Sequence, residues 1–296
     1  GPGGEPADVQ LLGQRDDKRD RRRDRDTAGD GGRGERRGSL REDLTQLFDR
    51  PEFTGGLKYG VAATAVALLV GVSWRQVKDR AAPVAGLALV GAGLLALADL
   101  LALPSAVLIG CAALAVGGLV SDQLTRSPWS GALLALPGAA ILSAAPGVPT
   151  DWTRILIIVT VAVGATGMAD FDRRFRNTGL GPVLLALSIA GAYATVPETR
   201  RTLVLVGAAL PLPLLGWPVP FCSLGRAGCY PATGLLMWCV ALDGPTRQGS
   251  LVGAAASLGL FLVEPLAHRL AGRRSPIRGI PDQPMWLWVI VVAAGH

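Results

Sequence analysis

The sequence is short of charge, and much of what it has lies at one end. Only 18% of the 296 residues are charged, and residues 1–55 hold 12 of the 29 basic and 13 of the 23 acidic side chains. The 241 residues that follow carry about one charge in nine, against roughly one in four in a soluble domain. That is too few to keep this part in water. It excludes a soluble enzyme, a free nucleic-acid-binding domain and a disulfide-stapled secreted module. Histidine is almost missing, with His268 and His296 alone, and the four cysteines contain no Cys-x-x-Cys pair. Ligands for a zinc or iron–sulfur site are too few, so no metal and no cofactor is expected.

Other absences narrow the chemistry. There is no G-x-x-x-x-G-K-[ST] phosphate loop, no G-x-S-x-G elbow, no H-E-x-x-H and no S-x-x-K. The single asparagine, Asn177, lies outside any N-x-[ST] site. No Asp, Glu, Lys, Arg or His falls within 84–98, 104–121, 131–150, 155–169, 179–197 or 202–225. Ion-coupled transporters keep ionisable groups near the membrane midplane to hold the coupling ion. This distribution argues against such coupling. Lysine is scarce too, supplying three of the 29 basic residues (Lys18, Lys58, Lys78). That skew toward arginine is read as the coding bias of a high-GC bacterium.

What is present is a succession of apolar runs: 57–74, 81–101, 103–120, 130–147, 153–169, 179–196, 202–219, 232–242, 249–267 and 285–294. Backbone polar groups in a bilayer need internal partners, and these runs lack the alternation of barrel strands, so each is expected to be a helix. Trp74, Trp129, Trp152, Trp217, Trp238, Trp286 and Trp288 lie mostly at or near run ends, as interfacial aromatics do. The fold class expected is all-α: a polytopic transmembrane bundle of nine or ten segments in a bacterial plasma membrane. The last run, Met285 to Ala294, is about half of the roughly 20 residues a span needs. Together with a first residue that is Gly and not Met, this predicts a processed or fragmentary chain that continues past His296.

Residues 1–55 form a second region. Segments such as DDKRDRRRDRD mix acids with arginines and hold almost no large apolar residue, which predicts a disordered, solvated tail. Within it, Leu40, Leu44, Leu47 and Phe48 place one apolar face on a short helix at 40–50, suited to lie along a membrane. The transmembrane domain is expected over 56–296. A shift of 99 residues aligns 57–147 with 153–242, laying Pro83-Val84 on Pro182-Val183 and Asp99 on Glu198. A tandem repeat of two four-segment halves follows as an expectation.

Two topologies fit the loops. If every run crosses, the odd-numbered loops carry 12 basic residues and face the cytoplasm, which leaves the tail outside. If 130–147, with Pro137-Gly138 and Pro146, is re-entrant, the tail stays inside; the sequence leans slightly to this second layout. Both layouts place ADFDRRFRN (169–177) and FLVEPLAHRL (261–270) on the cytoplasmic side. Asp170, Asp172, Arg173, Arg174, Glu264 and His268 are therefore the candidate binding group. Its arginines would grip an anionic headgroup and its acids would supply a base or metal ligands. The plain alternative is a cap of snorkelling arginines neutralised by acids. Asp99 and Glu198, each beside a proline, are candidate vestibule residues, or simply helix-terminal acids. The dense Pro/Gly stretches at 209–220 and 136–149 mark helix breaks or kinks. Gly56-x-x-x-Gly60 and Gly253-x-x-x-Ser257 allow close helix packing. Cys111 and Cys239 read as small buried hydrophobes. Cys222 and Cys229 share FCSLGRAGCYP and could pair only where that loop meets an oxidising compartment.

Three function classes remain. The first expectation is a transporter or flippase-like carrier of an amphipathic, lipid-linked substrate. The alternatives are a non-catalytic membrane subunit or scaffold, and an enzyme acting on a lipid phosphate. Membrane lipids are the expected partners, and nucleic acid is not one.

Overall fold

The computed structural model describes residues 45–124, 128–148, 150–195, 200–242, 258–259 and 261. The chain divides into two units, Gly1–Arg50 and Pro51–His296. In the first, the described part is one helical turn at 45–48, after which Asp49 N–H bonds Thr45 C=O at 3.1 Å and Arg50 N–H bonds Leu47 C=O at 3.3 Å. Only the end of the helix expected at 40–50 is therefore seen.

Among the described residues of the second unit the α-helices are α1 Pro51–Lys78, α2 Ala85–Leu100, α3 Ser105–Leu124, α4 Pro128–Ser143, α5 Trp152–Arg174, α6 Leu180–Thr195, α7 Arg200–Ala209 and α8 Arg226–Leu242. Three of these, α1, α3 and α5, are long and apolar enough to cross a membrane. Shorter apolar helices occupy Ala85–Leu100, Ser130–Ser143 and Leu180–Ala194. The run read at 202–219 is broken. Pro211 and Pro213 lack the N–H that would continue α7, and a single 3-10 turn, Leu212–Leu215, takes its place. Of the last two expected runs, residues 258, 259 and 261 are described and helical, beside α5; 285–294 lies outside the described residues.

Contacts between helix ends fix their directions. At one end, Gly71 of α1 meets Phe221 and Cys222, and Gly86 of α2 meets Gly228 of α8. At the same end Ser121 of α3 bonds Arg226, Gly131 of α4 faces Tyr230, and Asp172 of α5 touches Gly181 of α6. The other end gathers Glu52 with Arg200, Tyr59 with Asp99, and Gly147 with Leu242. Successive segments thus alternate in direction. The expectation that 130–147 is re-entrant is corrected: α4 begins beside the start of α8, and the chain leaves it beside the end of α8. A re-entrant element would return to the end it entered.

The core is built around α8, whose residues Ala227 to Ala241 are all buried. Lipid tails are as apolar as leucine, so helices in a membrane associate through close van der Waals packing, not water exclusion. The glycines serve that need. A Cβ on Gly228 would sit 2.6 Å from Gly86 Cα, and one on Gly118 would sit 2.5 Å from the Arg226 carbonyl oxygen. Gly56 and Gly60, spaced for close packing in the sequence, abut the Val204 and Ala208 carbonyls of α7. The proposed halves do not pack alike. α1 lies on α2 and α7, and α3 lies on α4 and α8, whereas α5 lies on α4 and α8 and α6 lies on α7.

Candidate functional site

Two stretches of irregular backbone meet inside the bundle, 79–84 after α1 and 216–225 before α8. Non-helical backbone at depth persists only where its polar groups find partners in protein. Here they find each other. Ala82 N–H donates to Phe221 C=O (3.0 Å), Ser223 N–H to Ala82 C=O (2.8 Å), Ala85 N–H to Ser223 C=O (3.0 Å) and Gly86 N–H to Leu224 C=O (3.2 Å). Ala82, Cys222, Ser223 and Leu224 are buried. The Cys222 thiol donates to the Ala67 carbonyl at 3.2 Å, and all four cysteines are free, so Cys222 and Cys229 are not paired.

Asp172 completes this arrangement. Only 2% of its surface is exposed, and its two oxygens accept Leu224 N–H at 2.8 Å and Gly225 N–H at 3.0 Å. Gly225 is the N-cap of α8, since its carbonyl accepts the N–H groups of Gly228 (3.1 Å) and Cys229 (2.9 Å). It adopts φ +69° against the Pro83 carbonyl, a conformation and a closeness that suit glycine alone. A carboxylate borrowed from α5 thus caps the positive end of the α8 dipole.

A guanidinium ties the same helix start to α3. Arg226 Nη1 donates to the Ser121 carbonyl (2.8 Å) and hydroxyl (3.0 Å), and Nε pairs with Asp122 at 3.2 Å. The Ser121 carbonyl is among the last four of α3, which have no partner within the helix. Tyr230 hydroxyl reaches Ser121 Oγ at 3.4 Å. Asp122, Asp172, Arg176 and Arg226 lie around the buried Cys229. This cluster fastens three helices together, with its carboxylate and guanidinium already engaged. Among the described residues no group of three or more His, Cys, Asp or Glu could hold a metal ion.

The candidate residues divide accordingly. Positions two apart on a helix point about 200° apart, so Asp170 and Asp172 cannot address one ligand from a regular α5. Asp172 turns inward. Asp170 stays at the surface and pairs with Arg174 one turn on, at 3.4 Å. Arg173 is exposed and Arg176 half-buried. Glu264 and His268 lie outside the described residues. At the opposite end, Asp99 accepts the Tyr59 hydroxyl at 3.0 Å, and its supposed companion Glu198 lies outside the described residues. Close by, Arg201 stacks on the buried Trp238 ring at 5.7 Å. Asp151 caps α5, accepting Thr153 N–H at 3.1 Å. The Thr153 hydroxyl first, and then its backbone N–H, hold the Asp151 carboxyl below the usual carboxylate range.

Sequence reasoning passed over Ser121, Asp122 and Arg226. The available signal was that Asp122 and Arg226 are isolated charges at the ends of apolar runs, in loops assigned to one side. The chain matches no protein-family model and no curated protein sequence.

Proposed function

We propose that the chain is a multi-pass protein of a bacterial plasma membrane, with nine or ten membrane segments, acting as a close-packed membrane subunit or scaffold. The observation that carries this reading is α8. A helix buried on all sides from Ala227 to Ala241, with neighbours meeting backbone to backbone at Gly86, Gly118 and Gly228, occupies the place where a carrier keeps its path. Asp172 and Arg226 are engaged by backbone and side-chain partners, which supports a structural role for them. The enzyme reading finds little support in an acid whose oxygens both accept N–H bonds.

The orientation proposed follows from charge. Arg75, Lys78, Arg80, Arg173, Arg174, Arg176 and Arg226 belong to one end, against Lys58, Arg154, Arg200 and Arg201 at the other. By the bias of basic residues toward the cytoplasm, the first end faces inward and Pro51 starts on the outer side. A second reading, the carrier of an amphipathic substrate, draws support from the irregular segments at 79–84 and 216–225, since carriers build substrate sites at interrupted helices.

Labelling of introduced cysteines by an impermeant maleimide in cells separates these readings. Ala102→Cys is expected to label in intact cells, Arg80→Cys only after permeabilisation, and Leu236→Cys in neither until the protein is denatured. Reaction at position 236 in the folded protein overturns the closed bundle in favour of a carrier. Reaction of positions 80 and 102 from the same side overturns the orientation.

A further inference from the structure

The end of α1 carries a surface that the cluster around Asp172 does not use. Gly71, Trp74, Arg75 and Lys78 stand at i, i+3, i+4 and i+7 and so share one helix face. The irregular stretch before α8 seats its Phe221 carbonyl against Gly71, and the Phe221 ring lies under the Arg75 guanidinium at 5.9 Å. Lys78 Nζ stands 5.0 Å over the Trp74 ring. Past Lys78 the helix stops, with Asp79 at φ +48°, and Arg80 follows. Arg75, Lys78 and Arg80 are all exposed, and none has a carboxylate partner among the described residues, Asp79 included. Two other basic groups at this end differ: Arg174 is paired with Asp170, and Arg226 with Asp122, while Arg173 and Arg176 have no aromatic ring beneath them among the described residues.

We infer that Trp74, Arg75, Lys78 and Arg80, with Phe221 beneath, form a binding surface for the headgroup of an anionic phospholipid. The inference rests on the membrane reading and on this end facing the cytoplasm. The occupant follows from the chemistry. Three cations without acids call for a phosphate. Rings stacked beneath two of them hold the charges at the level where tryptophan sits, between acyl chain and headgroup. Val77, 80% exposed beside Trp74, and Val70, 41% exposed one turn below Trp74, offer apolar surface for the chains. A soluble anion would use the cations and leave that apolar wall uncovered.

Native mass spectrometry of the full chain, released from detergent with equimolar phosphatidylglycerol and phosphatidylcholine, tests the surface. The unaltered protein is expected to retain phosphatidylglycerol preferentially. Arg75→Gln with Lys78→Gln should weaken that retention by about fivefold for each charge removed. Arg75→Lys with Lys78→Arg should retain it, and Arg173→Gln with Arg174→Gln should change it little. Equal retention of the two lipids by the unaltered protein overturns the inference, as does an equal loss in the Arg173/Arg174 variant. A chain recovered from cells in the soluble fraction without detergent overturns the membrane reading itself. The two failures are thereby told apart.

Discussion

Asp172 shows how a charge that reads as reactive becomes structural. Its carboxylate is the partner for two buried N–H groups, and leaving such a donor unsatisfied costs about 1–3 kcal/mol. Asp172→Ala removes a desolvated charge, which is a gain, but orphans Leu224 and Gly225 together. We expect a net loss of about 2–5 kcal/mol, read as a lower thermal midpoint in detergent. Asp172→Asn keeps one acceptor oxygen and should fall between; a midpoint unchanged in both variants would deny Asp172 its capping role. Asp151 supplies a pH dependence of known sign. Its folded pKa lies below the ordinary 3.8, so the stability it lends is present above about pH 4 and is lost as pH falls through the folded value. Asp151→Asn keeps a capping oxygen without the titration. The gap in thermal midpoint between it and the unaltered protein should close below that pH. The spacing in the sequence placed Asp170 and Asp172 in one group, and only the geometry of a helix surface separates them. The ties of Arg226 to Ser121 and Asp122 span about a hundred residues, a distance over which apolar periodicity carries no information.

Among the elements, glycine separates two kinds of site in one helix. At Gly86 a Cβ would lie 2.8 Å from the Gly228 backbone, whereas at Gly91 it would meet nothing within 4 Å. Gly86→Ala is expected to cost about 1–3 kcal/mol by overpacking. Gly91→Ala should stabilise by about 0.4–1 kcal/mol through reduced freedom of the unfolded chain. Thermal midpoints of the pair measure both, and a destabilised Gly91→Ala would contradict open space there. Most helices could be read in advance, since the runs at 57–74, 81–101, 103–120, 130–147, 153–169 and 179–196 coincide with α1 to α6. The run at 202–219 is kept apolar by Leu212, Leu214 and Leu215, and only its dense prolines and glycines at 209–220 pointed to a break or kink. Pro211 and Pro213 make it a break, through a missing N–H that hydropathy does not register. The pairing of 82–86 with 221–224 was invisible because neither stretch has the pattern of a strand.

For the whole molecule, the alternating directions and the gathering of Arg75, Lys78, Arg80, Arg173, Arg174 and Arg176 at one end set the proposed orientation. The expectation of uncharged helix centres survives in a different form. The buried Asp172 and the part-buried Arg226 sit within a turn of a helix end, as the sequence placed them, yet the backbone at 222–225 beside them is enclosed by protein. What the sequence could not convey was which helix is central, because α8 is no more apolar than its neighbours and is distinguished only by Gly228, Gly234 and small residues on every side.

That the central helix comes eighth in the chain has a bearing on biogenesis. Its anchors, Ala67, Ser121 and Asp172, emerge from the ribosome 155, 105 and 52 residues ahead of their partners. During synthesis the earlier helices must enter the bilayer with Gly86, Gly118 and the Asp172 carboxylate still open to lipid. They cannot settle until Arg226 arrives. A nascent chain halted before that residue should therefore be the species most exposed to membrane quality-control proteases, and one halted after Leu242 should be much less so.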